Sequence, residues 1–429
     1  MTSGQSPKPL AGIRVLDFGH TIMGPCAGLL FADLGADVVK IEPADGDPTR
    51  RLPGFAAGFF AAYNRNKRSL AIDLKQPEGR AVVHHLVKSA DVVLENFGPG
   101  TIERLGCSWP DLEKINPKLV YLSMKGFLKG PYENRGALDE VVQMQSGLAY
   151  MTGPPGRPLR AGAPIVDILG GVFGVVAVLS ALRERDQTGR GQRVGSALFE
   201  SATFMLGAII AGSKVIGGPM PPMPARKNAW GVYDVFTGSD GGQAFIAITA
   251  DGQWGRFCEE LGLASWINDP RLASNALRCD ARDWMLPELV TKLSKLPLQE
   301  ILAKCEAAKI PYSRVGRPDE LSNDPHLLAH GGLLETAISG FGGGPMVGVP
   351  ALPIDFGDGR DRLGLTLQPP RIGEHTDEIL LAAGYPAKEV AHLRMTGVLG
   401  ASHAASIDAQ QTTNRSTPKA KRSRSTRSS

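Results

Sequence analysis

The chain has 429 residues, of which 42% are hydrophobic and 21% charged, a composition typical of a soluble globular protein with two or three domains. No apolar run approaches the roughly 18 to 20 residues that a membrane span needs, and the polar segment 1–9 lacks the apolar core of a signal peptide. We therefore expect a cytoplasmic protein without a membrane partner.

The first 125 residues alternate between short apolar runs and amphipathic stretches. The apolar runs are rich in β-branched residues and predict strands. These strands are 13–18, 38–41, 69–72, 92–94 and 119–122. Helices are predicted at 24–34 and 77–87, each with a proline in its first turn. Strands and helices that alternate at this spacing indicate right-handed crossovers and a parallel sheet, hence an α/β fold.

The rest of the chain predicts a second, smaller α/β domain. A glycine-rich helix at 166–185 and a strand at 194–198 precede a Pro/Gly-rich boundary at 217–224. A strand at 244–249 and several helices follow, and one helix starts at His375. The predicted parts are a large domain (9–216), a small domain (225–325), a return segment to the large domain (326–400) and a disordered basic tail (401–429).

The basic tail explains the formal net charge of +4. Residues 415–429 include six basic residues and no acid, so the rest of the chain is slightly acidic. Nucleic-acid-binding proteins more often carry their basic residues on a folded face, whereas a Ser/Lys/Arg tail is usually solvated and disordered. We predict no nucleic-acid partner.

The cysteines and histidines do not form a metal-binding pattern. The five cysteines are dispersed without C-x-x-C spacing, which argues against a disulfide framework and a zinc site. The eight histidines show no H-E-x-x-H arrangement. We predict no metal and no permanently bound cofactor.

Three segments are candidates for ligand binding. Glu42, about twenty residues after the first turn, fits a dinucleotide site, but the turn 19–24 reads GHTIMG rather than G-x-G-x-x-G, so this reading is disfavoured. The basic cluster 64–69 suits either a phosphate ligand or a solvated loop. The loop 96–100, which follows a strand, is either a tight turn or a ligand-binding loop in which Phe97 stacks on a flat ring.

Asp167 stands among apolar residues and glycines in the segment 161–171. A carboxylate in such surroundings needs polar partners, which the N-terminus of the following helix can supply. By itself this pattern favours an N-cap residue for a helix starting at Ile168 over a catalytic group.

Taken together, several motifs resemble family III CoA-transferases. They run in the family's order from about residue 9 to 399. The matching stretches are 9–17, 35–42, 66–69, 73–75, 95–100, 188–192 and 372–377. The resemblance implies an interlocked homodimer with a Rossmann-like large domain, which uses coenzyme A (CoA) as a substrate thioester and moves it between carboxylic acids.

The resemblance also implies site residues. Asp167 matches the place of the catalytic aspartate, which forms an aspartyl-CoA thioester, and Asp139 that of a supporting carboxylate. The positions that match CoA contacts are Thr21, Ile22, Met23, Leu74, Lys75, Asn96, Phe97 and Arg104. Arg135 stands beside Gly136, where oxalate enzymes have a lysine, and is expected to substitute for it.

Departures from the family pattern bear on the substrate. The tetraglycine loop of the oxalate enzymes is absent, and Arg226 and Lys227 in that region suggest a cationic site for a dicarboxylic acid, with a succinyl-CoA-like donor. One alternative is a 2-methylacyl-CoA racemase, but the position assigned to its histidine is Tyr150 here. A non-catalytic acyl-CoA-binding protein is the other alternative.

Overall fold

The structure is a computed structural model that describes residues 8–225, 229–338, 345–357 and 362–400. The chain divides into two compact units, one formed by Met1–Pro219 with Pro325–Ser429 and the other by Met220–Asp324. The predicted tail, 401–429, lies outside the described residues.

Seven of the eleven described β-strands agree with the predicted runs to within a few residues, and the other four, at 233–237, 312–314, 333–337 and 346–350, had no predicted bounds. In chain order they are β1 (Arg14–Asp17), β2 (Asp37–Glu42), β3 (Arg68–Ala71), β4 (Val92–Glu95), β5 (Val120–Lys125), β6 (Gln192–Ala197), β7 (Tyr233–Thr237), β8 (Gln243–Ala247), β9 (Tyr312–Arg314), β10 (Leu333–Ala337) and β11 (Met346–Pro350).

The α-helices connect these strands. They are α1 (Met23–Asp33), α2 (Phe59–Asn64), α3 (Pro77–Val87), α4 (Thr101–Arg104), α5 (Trp109–Leu112), α6 (Asp139–Ser146), α7 (Leu148–Thr152), α8 (Ile165–Thr188), α9 (Leu198–Met205), α10 (Gly207–Ile216), α11 (Asp251–Glu260), α12 (Ala264–Ile267), α13 (Asn275–Asp280), α14 (Arg282–Leu293), α15 (Leu298–Ala307), α16 (Pro325–Ala329), α17 (Thr376–Ala382) and α18 (Ala387–Met395). Short 3-10 helices lie at Pro48–Arg51, Gly54–Gly58, Met223–Ala225, Pro270–Leu272 and Pro318–Asn323.

A six-stranded parallel sheet in the order β3-β2-β1-β4-β5-β6 forms the centre of the first unit, which confirms the predicted α/β fold. Strands β1 to β5 are buried on both faces, and the edge strand β6 is partly exposed. Leu16 of β1 packs into a core with α3, α17 and α18, and Val15 packs into a core with α1, α8 and α9 on the opposite face. Nearly continuous apolar runs are what such a doubly covered sheet requires.

Helix α8 is longer than predicted, and it contradicts the expectation that no apolar run approaches the length of a membrane span. Its length and composition would suit a membrane span, and α9 with α10 would pass the same test if counted as one bent span. However, α8 packs closely on α1, since a Cβ on Gly171 would lie 2.9 Å from the backbone oxygen of Met23. The glycines of α8 therefore permit the close approach that a core helix needs.

The second unit is built on a small antiparallel sheet in the order β7-β8-β9. Helices α11, α12, α14 and α15 contribute to its core, which includes Trp254, Trp266 and Phe257. The return segment differs from the prediction of one helix after His375. Gly384, with φ +92°, and Pro386 separate α17 from α18, because neither a left-handed residue nor a proline continues a helix.

Candidate active site

The chain order of the sheet reverses between β1 and β4, and two loops leave the carboxyl ends of these strands. In open α/β sheets such a reversal forms a crevice where ligands bind. The loop after β1 carries Gly19 to Ile22, and the loop after β4 carries Asn96 to Gly100. Both loops were candidate ligand segments in the sequence.

Asn96 joins the two loops. Its side-chain oxygen accepts a hydrogen bond from the His20 backbone N–H (2.9 Å), and its side-chain amide donates to the His20 backbone oxygen (3.0 Å). The next residue, Thr21, has φ +63°, a left-handed conformation that is unusual outside glycine, and its N–H donates to Thr49 Oγ1. The loop after β1 is thus held in one strained shape by side-chain contacts.

A cavity of about 790 Å³, called the large cavity here, lies along these loops. It is lined by four of the predicted ligand residues, Thr21, Leu74, Lys75 and Phe97. The ring of Phe97 lies against His20, with a centroid distance of 5.3 Å. Burial lowers the pKa of His20, which favours the neutral imidazole.

A second cavity of about 200 Å³, the aspartate cavity, shares His20, Thr21 and Phe97 with the large cavity. The shared lining makes the two cavities neighbours along one crevice. The aspartate cavity brings together most of the remaining predicted residues. They are Ile22, Met23, Asn96, Arg135, Asp139 and Asp167.

Asp167 is in the first turn of α8 and is partly exposed to the aspartate cavity. Helix α8 starts at Ile165 with Pro164 as its N-cap residue, so the N-cap interpretation of Asp167 is wrong. Burial, and next the charges of Asp139 and Glu140, raise the pKa of Asp167 to about 7. The site therefore holds a carboxyl group that ionises near neutral pH, as functional carboxyls in clefts often do.

Asp139 fixes the backbone around Asp167. Its Oδ2 accepts hydrogen bonds from the N–H groups of Val166 (2.9 Å) and Asp167 (3.1 Å). Its Oδ1 accepts from the Gln143 side-chain amide, whose own oxygen accepts from the Ala161 N–H (2.9 Å). One buried carboxylate thus satisfies the free N–H groups at the start of α8 and places Asp167 in the cavity.

The basic cluster 64–69 is neither a phosphate site nor a solvated loop. Arg65 and Lys67 are almost completely buried, and they pair with Asp33 and Asp17 respectively, each at 2.7 Å. Arg68 pairs with Asp37. Each cation therefore has a carboxylate partner within the fold, which buried charges require.

The dinucleotide interpretation of Glu42 also fails on its contacts. Both carboxylate oxygens of Glu42 bind Arg50, and they also accept from Ser69 Oγ and the Asp47 N–H. Glu42 is buried in this network and does not have a free oxygen for a ribose hydroxyl.

One predicted residue that the structure describes, Arg104, lines neither cavity, and two others cannot be placed. Arg104 is exposed on α4, and its guanidinium donates to Thr101 Oγ1. Arg226 and Lys227 lie outside the described residues. Tyr150, the position assigned to a racemase histidine, is 47% exposed on α7 and does not line the aspartate cavity.

The comparison with known families agrees with this geometry. The family model for CoA-transferase family III matches residues 10–376 of the chain. The chain belongs to CoA-transferase family III. The chain is therefore an enzyme that transfers CoA.

Relatives with curated names are similar over nearly the whole chain. The succinate–glutarate CoA-transferase of Agrobacterium fabrum is 34% identical over 87% of this chain and 95% of its own. The formyl-CoA:oxalate CoA-transferase of Afipia carboxidovorans is 32% identical over 92% and 98%. A solved CAIB/BAIF family protein from Brucella suis has a TM-score of 0.78 at 32% identity, covering 88% of this chain and 100% of its own.

Sequence reasoning missed three side chains at this CoA-transferase site. His20 lines both cavities. Gln143 is connected to the start of α8 through Asp139, and Arg160, nearby, pairs with Glu140. No local motif marks Gln143 or Arg160, because they lie in α6 and in the segment before α8, and only the tertiary structure brings these two segments together.

The raised pKa of Asp167 predicts an effect on stability. The group has a pKa near 3.8 in a model peptide and about 7 in the fold. As pH rises through this window the unfolded chain loses its proton first, so the native state loses stability and does not regain it above pH 7. Asp167→Asn is expected to raise the free energy of unfolding by about 2 to 4 kcal/mol at pH 8.

Denaturant unfolding of the wild type and the variant at pH 4 and pH 8 tests this expectation. The gain should be large at pH 8 and nearly absent at pH 4. Equal gains at both pH values would show that packing rather than ionisation causes the effect.

Replacement of Asp139 predicts a change in the pH profile. Asp139→Asn keeps an oxygen that accepts from the α8 N–H groups but removes the charge that raises the pKa of Asp167. The acid limb of the CoA-transfer rate is expected to move to lower pH. Glu140→Gln should move it less, because Asp139 is the larger of the two charge effects. An unchanged limb in Asp139→Asn would contradict this coupling.

Proposed function

We propose that the enzyme transfers CoA through an aspartyl-CoA thioester formed on Asp167. The observation that carries this proposal is the place of Asp167, a carboxyl with a pKa near 7 in a small cavity that adjoins a much larger one. A carboxylate nucleophile must be ionised at working pH and reachable by a bulky thioester. Both conditions suit this site.

Four bond exchanges follow from this assignment. The Asp167 carboxylate attacks the acyl-CoA carbonyl, giving a mixed anhydride and CoA thiolate. The thiolate attacks the aspartyl carbonyl, which releases the donor acid and leaves the aspartyl-CoA thioester. The acceptor carboxylate attacks this thioester and again releases thiolate. Attack of the thiolate on the acceptor carbonyl yields the new acyl-CoA and restores Asp167.

The large cavity is assigned to the nucleotide end of CoA. Its volume of about 790 Å³ suits a ligand of this class. Phe97 offers a ring face for the adenine and Lys75 a positive charge for a phosphate. Arg104 and Arg135 are also assigned to CoA, whose phosphates suit their positive charges. The pantetheine arm then passes Thr21, Ile22, Met23 and Asn96 to reach Asp167.

A succinyl-CoA-like donor and a dicarboxylic acceptor are part of the proposal. Similar enzymes carry the names succinate–glutarate and succinyl-CoA–L-malate CoA-transferase, and these acids are dicarboxylic. A formyl-CoA:oxalate CoA-transferase is similar to this chain over an equally large share of both lengths. Succinyl-CoA with glutarate, L-malate and oxalate is therefore the first substrate panel.

Oxygen transfer tests the proposed chemistry. With succinyl-CoA and an acceptor acid carrying ¹⁸O in both carboxylate oxygens, one ¹⁸O should remain on Asp167 after a single turnover and reach succinate in the next. Direct attack of the acid on succinyl-CoA would label succinate but not the enzyme. CoA transfer that leaves no ¹⁸O on Asp167 would therefore contradict the covalent route.

A racemase remains a second candidate on one observation. His20 lines the aspartate cavity together with Asp167, so the chain has a histidine and an aspartate at one site, the pair that a racemase uses to move an α-proton. Incubation with an α-deuterated 2-methylacyl-CoA distinguishes the activities. Loss of deuterium without CoA transfer would establish the racemase, and retention would exclude it for that substrate.

A cytoplasmic homodimer with interlocked subunits completes the proposal. Large apolar side chains on α8, α9 and α10 are exposed in the single chain, among them Val176 (53%), Phe204 (71%) and Val215 (87%). A surface of this kind usually meets another protein surface. Light scattering after gel filtration should give twice the mass of one chain, and a monomer would contradict this part.

A further inference from the structure

Arg160 lies in the segment that leads into α8 and pairs with the acidic start of α6, and in the resting enzyme it is not among the residues that line the aspartate cavity. Its Nη1 is 3.5 Å from Glu140 Oε1, and its guanidinium lies 5.9 Å from the ring centroid of Phe55. Glu140 follows Asp139 in α6, and its charge contributes to the raised pKa of Asp167. The Arg160–Glu140 pair is therefore within electrostatic reach of the proposed nucleophile.

The segment that carries Arg160 is tied to the same hydrogen bonds that hold Asp167. The Ala161 N–H donates to Gln143 Oε1 at 2.9 Å, and the Gln143 amide donates to Asp139. Asp139 in turn accepts from the Asp167 N–H. The backbone next to Arg160 and the backbone of Asp167 are therefore fixed relative to each other through two side chains.

The charges at this site present a problem for an acid substrate. Asp139, Glu140 and Asp167 are all acidic, and a carboxylate that approaches them is repelled. Lys125 lines the aspartate cavity but already binds Glu95 and the Phe97 backbone oxygen. Arg135, which also lines it, is assigned above to a CoA phosphate.

The Arg160 guanidinium has more N–H donors than its described contacts use. Its side chain is 34% exposed, and the described contacts of its guanidinium are the long one to Glu140 and a 3.4 Å hydrogen bond to the Ala161 backbone oxygen. A planar guanidinium can instead give two parallel hydrogen bonds to one carboxylate. The Glu140 contact is thus weak enough for a substrate carboxylate to replace it.

We propose that Arg160 binds the carboxylate of the acid substrate, with Glu140 as its counterion in the resting enzyme. This assignment rests on the proposed function and adds to it the residue that receives the acid. Arg160 holds the acceptor while a carboxylate oxygen attacks the aspartyl-CoA carbonyl. The new C–O bond forms, the C–S bond breaks, and its electron pair leaves with the CoA thiolate. The donor acid, once released from the mixed anhydride, leaves the site through the same contact with Arg160.

Steady-state kinetics of Arg160→Gln, Arg160→Lys and Arg157→Gln test the assignment, with succinyl-CoA as donor and whichever of glutarate, L-malate and oxalate the wild type uses best. Arg160→Gln is expected to raise KM for the acid by about 10- to 100-fold, the effect of losing a charge-assisted pair. KM for succinyl-CoA should change less than about threefold. Arg160→Lys should recover part of the loss, since it keeps the charge but not the planar fork.

Two further variants separate binding from structural damage. Arg157 is exposed in the same segment, so Arg157→Gln should leave both KM values unchanged. Glu140→Gln removes the competing carboxylate, and it should lower KM for the acid. Damage to the site would raise this KM in both the Arg160 and Glu140 variants. Because Glu140→Gln also removes a charge that repels the acid, the decrease supports the proposal only if it is lost in the double variant Arg160→Gln/Glu140→Gln.

The outcomes distinguish this proposal from the proposed function. If the wild type and Arg160→Gln both form the Asp167 thioester while KM for the acid is unchanged in Arg160→Gln and Arg160→Lys, the Arg160 assignment is overturned and the function stands. If the wild type forms no thioester with succinyl-CoA and transfers no CoA to any of the three acids, both fail together.

Discussion

Asp167→Asn is expected to lower kcat for CoA transfer by about 10⁴-fold or more, the range seen when a covalent nucleophile is removed. The amide matches the carboxyl in size and keeps α8 intact, but it cannot attack a thioester to form an anhydride. Initial rates of succinyl-CoA consumption in the presence of glutarate, L-malate or oxalate measure the loss.

Asp186→Asn is the matched control for this substitution, because Asp186 is exposed near the other end of α8. Its rate should stay within about twofold of the wild type, as expected for a surface change. If denaturant unfolding shows the expected gain in the free energy of unfolding of Asp167→Asn, unfolding is excluded as the cause of the lost activity. An Asp167→Asn enzyme that retained a tenth of wild-type kcat would show that Asp167 is not the nucleophile.

Lys67→Met is expected to have the largest effect on stability. The Lys67 side chain is fully buried, and its Nζ donates to Asp17 Oδ2 (2.7 Å), the Pro25 backbone oxygen (2.9 Å) and Asn64 Oδ1 (3.0 Å). Its removal leaves the Asp17 carboxylate buried without its paired cation, which costs about 3 to 5 kcal/mol. Thermal unfolding should show Tm lower by about 5 to 15 °C.

The double variant Asp17→Asn/Lys67→Met separates the charge from the packing. Neutralising Asp17 removes the unpaired charge, so the double variant should recover part of the lost stability. Lys118→Met, on the surface, should change the free energy of unfolding by less than about 0.5 kcal/mol. A single variant as stable as the control would show that the buried pair does not support the fold.

The Lys67 network also bears on the site. Asp17 accepts from the Gly19 N–H (2.7 Å), and Lys40 donates to the Gly19 backbone oxygen (2.7 Å).

Lys40 pairs with Asp47 at 2.8 Å. Burial alone would raise the pKa of Asp47, but the Lys40 ammonium and hydrogen bonds from Thr49 hold it at about 2. These buried charges hold the loop that leads to Thr21, so their loss should also weaken CoA binding.

The pattern of apolar residues along the chain was sufficient to predict the strands of the parallel sheet. Runs such as 92–94 and 119–122 are apolar on both faces because helices cover both faces of a parallel sheet. The strand order was not available from the pattern, but the carboxyl-end rule still directed attention to the loops at 19–24 and 96–100. The structure brings these loops together through Asn96.

Two of the wrong predictions concern contacts between distant segments. The cluster 64–69 looks solvated or ligand-binding because its partners, Asp17, Asp33 and Asp37, are some thirty to fifty residues away. Helix α8 was given too late a start, since nothing local to Ile165 shows that Asp139 satisfies the N–H groups of the first turn. Long-range partners of this kind leave no periodic signal.

Trapping the covalent intermediate tests the central claim most directly. The enzyme is incubated with succinyl-CoA, quenched with borohydride or hydroxylamine, and compared with Asp167→Ala by intact and peptide mass. A reduced or hydroxamate-modified residue that maps to Asp167 and is absent from the variant is the predicted result. CoA transfer by the wild type without any mark on Asp167, or undiminished transfer by Asp167→Ala, would contradict the account.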